Sequence, residues 1–171
     1  MARVAARLGL GRYEADKHYH AALQSYRERR LREAVQNMDS ALTILPDHPE
    51  YLATRSFFHM ELGQLEQAER DADAALKVNP YEVLANYIKG VLHFQRREWP
   101  EAQQAFMKAW AADTQRAETQ YYLALVAHRM GDTQSARRWM QGARALLEAL
   151  NDKGRLADAE AWLQEFDRSS F

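Results

Sequence analysis

The sequence predicts an all-α protein in which helical hairpins stack one after another into a solenoid. The main observation is an internal period of 34 residues, at which small and apolar residues recur. The composition agrees, because 47% of the 171 residues are hydrophobic and 27% are charged, the balance of a globular domain. Only seven Gly and four Pro leave little room for long loops.

The period rests on columns of equivalent residues. Two columns are alanine throughout, a third is small and a fourth is apolar: Ala34, Ala68, Ala102 and Ala136; Ala41, Ala75, Ala109 and Ala143; Ala22, Ser56, Gly90 and Ala124; Ile44, Val78, Ala112 and Leu146. Small residues at fixed sites let two helix backbones approach closely where they cross. Each repeat is therefore predicted to be two antiparallel helices, which must stack on neighbouring repeats to bury enough apolar surface.

Residues 1–14 precede the periodic region. Arg3 and Arg7 stand there with no acidic residue before Glu14, which also fits a mitochondrial presequence, although the segment has no Ser. Its apolar stretch is too short for a secretory signal. We expect a frayed or weakly helical N-terminal extension, with the presequence as the alternative.

Four repeats are expected over 15–48, 49–82, 83–116 and 117–150. Gly63 and Gly131 mark the turn between the two helices of repeats two and four, because glycine readily adopts the positive φ of a helix C-terminal cap. In repeat three the second helix is predicted to begin at Trp99, since Pro100 fits the first turn of a helix.

Prolines are expected to end the second helices of the first two repeats. They stand at Pro46 and Pro80, where the missing N–H and the ring oppose a continuing helix. Glu148 follows at the corresponding place in repeat four, so that helix is expected to run to about Leu150.

A final helix is predicted within residues 151–171, after a break at Asn151 to Gly154. Apolar residues recur there at helical spacing, with the acidic residues largely on the other side: Leu156, Ala159, Trp162, Leu163 and Phe166 against Asp158, Glu160 and Glu165. This pattern predicts a capping helix. The alternative is a homo-oligomer contact through Trp162, Leu163 and Phe166, because Trp and Phe are favoured interface anchors.

The period, with its small, alanine and proline columns, resembles the tetratricopeptide repeat (TPR) family from residue 15 to about 150. The resemblance implies a right-handed superhelix whose first helices line a concave face that binds peptides or helices. The Trp, Leu and Tyr usual in the first helices are absent from repeats one and three. In repeat three other residues must supply the core, such as Leu92, Trp99, Phe106 and Trp110.

The resemblance also implies which residues line this groove: Tyr19, His20, Leu23, Phe57, Tyr87, Ile88, Val91, Tyr121, Tyr122 and Leu125. Tyr and Phe present large, rigid surfaces to a ligand at low entropic cost. For the column of Leu23, Phe57, Val91 and Leu125, burial in the core is the favoured interpretation. For the tyrosines, ligand contact is favoured.

One class of TPR partner is not expected. Carboxylate-clamp TPR proteins hold the acidic tails of heat-shock chaperones with Lys, Asn and Arg. The corresponding sites here are Tyr19, Leu23, Thr54, Leu84 and Ile88, none of which donates a charge-assisted hydrogen bond to a carboxylate.

Charge and composition exclude further classes. A net charge of -1 gives no field to hold nucleic acid, and no apolar run approaches the length of a membrane span, so neither nucleic-acid binding nor membrane insertion is expected. From Gln36 to Glu82 there are nine acidic and three basic residues. We expect a solvated face there, with a charged patch that steers a partner as the alternative.

No motif indicates catalysis. His18 and His20 point to different sides of a helix, His59 and His93 occupy equivalent positions of successive repeats, and neither HExxH nor cysteine is present, so no metal site is expected. Phosphate-binding and dinucleotide motifs are absent, so no cofactor and no enzymatic activity are expected.

The sequence therefore predicts a cytoplasmic protein-interaction module, an adaptor, scaffold or chaperone, that binds a peptide or helix of a partner protein. The alternative is a structural protein that self-assembles into homo-oligomers through its ends or its C-terminal helix.

Overall fold

The computed structural model describes residues 9–168, which form nine helices and no strand, confirming the all-α class. The helices are α1 (Leu10–Arg27), α2 (Leu31–Ile44), α3 (Pro49–Glu61), α4 (Leu65–Val78), α5 (Val83–Gln95), α6 (Trp99–Ala112), α7 (Ala117–Arg129), α8 (Thr133–Ala149) and α9 (Lys153–Arg168). We call α1, α3, α5 and α7 first helices, and α2, α4, α6 and α8 second helices.

Helices begin at intervals of 34 residues. Second helices start at Leu31, Leu65, Trp99 and Thr133, and first helices after α1 start at Pro49, Val83 and Ala117. Within hairpins α1 packs on α2, α3 on α4 and α7 on α8. Along the chain α2 packs on α3, α6 on α7 and α8 on α9.

The chain divides into two compact units, an N-terminal unit that ends at Ile88 and a C-terminal unit that begins at Lys89. The boundary falls inside α5. Nothing in the uniform sequence period marks this division.

The alanine columns are the contact points of the helices. All eight alanines in the two columns have no exposed surface, and neither do Ala22, Ser56 and Ala124 of the small column. Ser56 belongs there because its hydroxyl donates to the buried Ala68 carbonyl at 2.6 Å. The apolar column differs from the others, since Ile44 and Val78 are 37% and 50% exposed at the ends of second helices.

The turns inside the hairpins share one geometry. Arg29, Gly63, Arg97 and Gly131 adopt positive φ of 63°, 74°, 63° and 82°. The following N–H bonds to the carbonyl five residues back in each turn, at 2.8 to 3.0 Å, as from Gln64 to His59. The two predicted glycine caps are confirmed, while no signal in the sequence indicated that arginine takes the same conformation.

Helix ends agree with the predicted proline signals. α2 and α4 end two residues before Pro46 and Pro80, and Pro100 lies in the first turn of α6. α8, with no proline, runs on to Ala149.

Both termini differ in detail from the expectation. α1 begins at Leu10, so residues 10–14 of the predicted extension belong to the first helix, while residues 1–8, with Arg3 and Arg7, lie outside the described part. The break before α9 is shorter than predicted, because Asn151 turns the chain at φ 55° and the helix begins at Lys153.

The end of the chain packs on its own fold. Phe166 and Ala159 of α9 are fully buried in a cluster with Met140 and Leu147 of α8. Trp162 and Leu163 are half-buried and pack against the same cluster. Phe166 is therefore a core residue, and its interpretation as an oligomer contact was wrong, because the ring has no exposed surface.

The expected core of repeat three is present in the C-terminal unit. Leu92 and Phe106 are buried, while Trp99 and Trp110 are half-buried. Phe94 and Trp99 meet edge to face at 5.2 Å between ring centroids.

Candidate protein-interaction surfaces

An aromatic surface lies on α1 and α3 of the N-terminal unit. Tyr19, Leu23 and Tyr26 stand four and three residues apart, which places them on one face of α1. All three are half-buried, and Phe57 of α3, also half-buried, meets Tyr26 edge to face at 5.4 Å between ring centroids. We call these four residues the N-terminal aromatic surface. It brings together three predicted groove residues, Tyr19, Leu23 and Phe57.

Tyr19 anchors one end of this surface. Its hydroxyl donates to Glu50 Oε1 at 3.0 Å, and its ring stacks on the buried Tyr51 at 5.1 Å. Burial, and next the charge of Glu50, raises the pKa of Tyr19 to about 12. Tyr51 in turn donates to Asp16, so two tyrosine–carboxylate pairs fix the rings. His20, also predicted, is exposed beside Tyr19.

Tyr26 anchors the other end. It stacks on Phe58 at 5.3 Å, and burial, then the charge of Glu61, raises the pKa of its hydroxyl. Tyr26 and Glu61 also line a cavity of about 230 Å³ with Arg27 and Arg29. A carboxylate therefore stands at each end of the N-terminal aromatic surface, Glu50 by Tyr19 and Glu61 by Tyr26.

Predicted groove residues on α5 are buried. Ile88 has no exposed surface, and Val91 and Tyr87 are 5% and 8% exposed. Ile88 and Val91 are thus core residues in this structure, and Tyr87 offers little surface to a ligand. For the column of Val91, burial was the favoured interpretation.

The tyrosines of α7 have divergent surroundings. Tyr122 stacks on Phe106 at 5.1 Å and meets Phe94 edge to face at 5.4 Å, so it fills space between α5, α6 and α7. Tyr121 and Leu125, both half-buried, pack against the cluster that includes α9. Of these predicted residues, Tyr121 also lines an open pocket.

This α7/α9 pocket encloses about 290 Å³ and is lined by Tyr121, Asp158, Ala161, Trp162 and Glu165. Burial raises the pKa of Tyr121, a hydrogen bond from Trp162 opposes that rise, and the charge of Asp158 adds to it. Asp158 and Glu165 thus flank Trp162. From the sequence they were expected largely on the opposite side of the helix, although their spacing of four before and three after Trp162 is the signal that places them on its side.

A groove between α6 and α8 was not anticipated. It measures about 750 Å³, and its lining combines apolar side chains with amides: Pro100, Gln103, Gln104, Met107, Trp110, Gln120, Ser135, Arg138 and Trp139. Trp110 and Trp139 meet edge to face at 5.2 Å. The indole N–H of Trp110 is buried with no hydrogen-bond acceptor among the residues that the structure describes.

Much of the acidic segment is structural. Arg55 of α3 forms a two-fold hydrogen-bonded pair with Asp71 of α4, at 2.6 and 2.7 Å, and also reaches Asp39 of α2 at 2.8 Å. Asp71 is 8% exposed. The expectation of a solvated face therefore fails for Asp71, because its carboxylate is paired inside the unit.

The histidines lie in separate surroundings. His59 and His93 each contact the side chain five residues on, Gln64 and Glu98, at 2.7 and 2.6 Å. Within residues 9–168 no three His, Asp or Glu side chains are grouped so as to hold a metal ion. None of the described helices has both the length and the apolar character needed to cross a membrane.

Comparison with known proteins identifies the fold. No protein-family model and no curated protein matches the chain by sequence. Solved structures do match: a thermophilic TPR protein, TTC0263 of Thermus thermophilus, has a TM-score of 0.72 at 19% identity, over 91% of this chain and 82% of that one. The chain therefore has the TPR fold, as its period indicates.

Two other structures of the same fold are similar. MamA of Desulfovibrio magneticus RS-1 has a TM-score of 0.64 at 19% identity, over 91% of this chain and 96% of that one. The first TPR domain of Spaghetti (RPAP3), solved bound to the HSP90 peptide SRMEEVD, has a TM-score of 0.65 at 16% identity, over 70% of this chain and 97% of that one.

Proposed function

We propose that this TPR-fold chain is a non-enzymatic protein-interaction module that binds a peptide or helical segment of a partner protein through the N-terminal aromatic surface on its first helices α1 and α3. The observation that carries the proposal is the N-terminal aromatic surface of Tyr19, Leu23, Tyr26 and Phe57. These side chains are half-exposed and contiguous, and neighbouring contacts hold their rings in place.

Fixed rings favour binding energetically. A ring that is already ordered loses little conformational entropy when a ligand covers it, so more of the gain from burying apolar surface remains as affinity. Tyr19 is held by Tyr51 and Glu50, and Tyr26 by Phe57 and Phe58. This arrangement suits the apolar side chains of a helix or an extended peptide.

Charge indicates the kind of segment. Glu50 stands at the Tyr19 end of the surface, and it favours a partner segment with a basic residue near its apolar anchors. The HSP90-peptide-bound TPR domain shows an acidic peptide on a related fold. At the clamp sites this chain has Tyr19, Leu23 and Thr54, with no positive charge, so we do not expect such a tail to bind.

Self-assembly through the C-terminal helix is the less favoured function. Phe166 is fully buried, and Trp162 and Leu163 are half-buried against the chain's own α8 and α7 cluster. Most of the apolar stripe of α9 is thus used within the protein, which leaves a partner copy little area to cover.

The test uses the double variant His20→Ala/Leu23→Ser, which alters Leu23 of the N-terminal aromatic surface and His20, the exposed neighbour of Tyr19. Neither side chain is fully buried, so the fold should tolerate their removal. Proteins captured from lysate of the native source by wild-type protein are identified, and the affinity of the recovered partner is then measured by calorimetry. We expect the double variant to bind at least about tenfold more weakly, because central apolar contacts supply much of the binding energy.

The matched control is Val78→Ser, which removes an apolar side chain that is 50% exposed at the end of a second helix. It should leave the affinity unchanged. Equal binding by wild type and double variant would contradict the proposal. Recovery of this chain alone by all three proteins would instead support self-assembly.

A further inference from the structure

We propose that the α7/α9 pocket receives a cationic side chain, lysine or arginine, from the partner segment. The inference rests on the proposed function and adds to it the chemistry of one contact. The pocket belongs entirely to the C-terminal unit, and it is separate from the N-terminal aromatic surface.

The pocket combines two aromatic rings with two carboxylates. Asp158, Ala161, Trp162 and Glu165 recur along α9 at spacings that place them on one face, and Tyr121 of α7 faces them. Ala161 between the carboxylates has a small side chain and leaves room for an incoming group. The volume of about 290 Å³ suits a single side chain.

The aromatic wall is ordered by contacts on its far side. The Trp162 ring meets His128 edge to face at 5.7 Å and lies 5.6 Å from the buried Phe166 ring. The Trp162 ring therefore keeps its position when the pocket is empty, and Trp is the aromatic side chain that attracts cations best.

The charge of Asp158 is not neutralised by nearby arginines. Arg155, one turn before Asp158 on α9, pairs with Glu118 and with Asp152 at 2.7 Å. Arg137 pairs with Asp167 at 2.6 Å. Asp158 has no ion-pair partner among residues 9–168. An anion would be repelled here, and a neutral apolar group would leave the Asp158 carboxylate poorly solvated, so a cation fits best.

The test uses two synthetic peptides that differ by one charge, acetyl-Leu-Arg-Leu-Leu-amide and the same peptide with neutral citrulline in place of arginine. Each is titrated into the full chain labelled with nitrogen-15, and the indole N–H signal of Trp162 is followed by nuclear magnetic resonance. A Trp162→Phe sample assigns that signal. We expect saturable shifts with the arginine peptide and an affinity about three- to tenfold weaker with citrulline.

Asp158→Asn should lower the affinity for the arginine peptide to that for citrulline and leave the citrulline peptide unaffected. The matched control is Glu160→Gln, which removes an exposed carboxylate of the same helix that does not line the pocket, and it should have little effect. Raising NaCl from about 50 to about 500 mM should reduce the difference in affinity between the arginine and citrulline peptides, because salt screens exposed charges.

Two results would overturn the proposal that the α7/α9 pocket receives a cation. One is equal affinity for the two peptides at Trp162, and the other is no shift at Trp162 with the arginine peptide. If the arginine peptide then shifts only signals of residues in the N-terminal aromatic surface, the proposed function is still supported and only the cation pocket is contradicted. If neither Asp158→Asn nor His20→Ala/Leu23→Ser weakens binding of the partner, both the cation pocket and the proposed function are contradicted.

Discussion

The backbone of Gly90 in α5 lies directly against the ring of Phe106 in α6. A Cβ placed on Gly90 would be 2.5 Å from Cε1 and 2.8 Å from Cγ of that ring, well inside van der Waals contact. The other repeats have Ala22, Ser56 and Ala124 at the position of Gly90, and there the residue equivalent to Phe106 is Met or Ala. Glycine is thus required in the one repeat where a rigid ring fills the space between the helices.

Gly90→Ala is expected to destabilise the protein. Overpacking a buried site costs about 1 to 3 kcal/mol, which exceeds the gain of about 1 kcal/mol from replacing glycine inside a helix. Thermal unfolding measures the change. Gly90→Ala/Phe106→Met, which reproduces the Ala124 and Met140 pair, should recover much of the loss. A single variant as stable as wild type would show that the ring moves aside easily.

Arg29→Gly and Arg97→Gly should each stabilise the protein. Both arginines have φ of 63°, a conformation that costs a residue with a Cβ about 1 to 2 kcal/mol. Glycine avoids this cost, but it makes the unfolded chain more flexible, which lowers the stability by about 0.4 to 1 kcal/mol. We therefore expect each variant to raise the free energy of unfolding, measured in urea, by about 0.5 kcal/mol. Gly63 and Gly131 already occupy the equivalent turns of the other two hairpins. Arg27→Gly, in the last turn of α1, is the control and should lose stability.

Arg55→Met should destabilise the N-terminal unit by about 2 kcal/mol, because it leaves the Asp71 carboxylate buried without its partner. The figure lies below that for a fully buried pair, since 23% of the Arg55 side chain is exposed. Arg55→Met/Asp71→Leu should be closer to wild type in urea unfolding. Asp39→Asn, which alters the exposed contact, should cost under about 1 kcal/mol. A double variant worse than the single one would contradict this account.

Acid should weaken the docking of α9. Burial is the largest single effect and would raise the pKa of Glu118. The hydrogen bond from Arg155 of α9, a backbone hydrogen bond and the charges of Arg155 and Arg116 together outweigh it, so this pKa is lowered from 4.5. A lowered pKa means that the stabilisation is present above about pH 5 and is lost as the pH falls through the folded-state value.

The advantage of wild type over Glu118→Gln should therefore be about 0.5 to 1 kcal/mol at about pH 6 and decline as the pH falls through the folded-state pKa of Glu118, as measured by urea unfolding at each pH. Glu160→Gln, an exposed carboxylate of α9 for comparison, should show no such pH dependence. An advantage that persists in acid would mean that Glu118 acts through packing rather than charge.

Local signals were sufficient for the helices. Small residues every 34 positions are needed wherever two backbones cross, and Pro46, Pro80 and Gly63 act on the chain within a few residues of themselves. The effects of the prolines and the glycine depend on neighbouring residues alone, and the small residues reveal themselves by their repetition, so both can be read from one sequence. The turns at Arg29 and Arg97 could not, because tertiary packing of the hairpin overrides the preference of arginine for negative φ.

The candidate site was only partly predictable. Tyr19, Leu23 and Phe57, which the resemblance to TPR proteins assigned to one groove, are all half-buried on α1 and α3 of the N-terminal unit. Ile88 and Phe166 look equally suitable in the sequence, yet both are fully buried. Whether an apolar side chain on a helix faces a ligand or a neighbouring helix depends on which other helices pack beside it. The sequence of that helix alone does not identify them.

By itself the sequence determined that this is an all-α protein of helical hairpins, because alanines seven residues apart, repeated every 34 positions, fit one face of a helix that packs closely on another. Tertiary structure alone decided which aromatic residues remain accessible, that Arg55 joins three helices, and that the α9 face of Asp158, Trp162 and Glu165 meets Tyr121 of α7. These features join residues from 16 to more than 30 positions apart, and contacts over such separations arise only when whole helices pack.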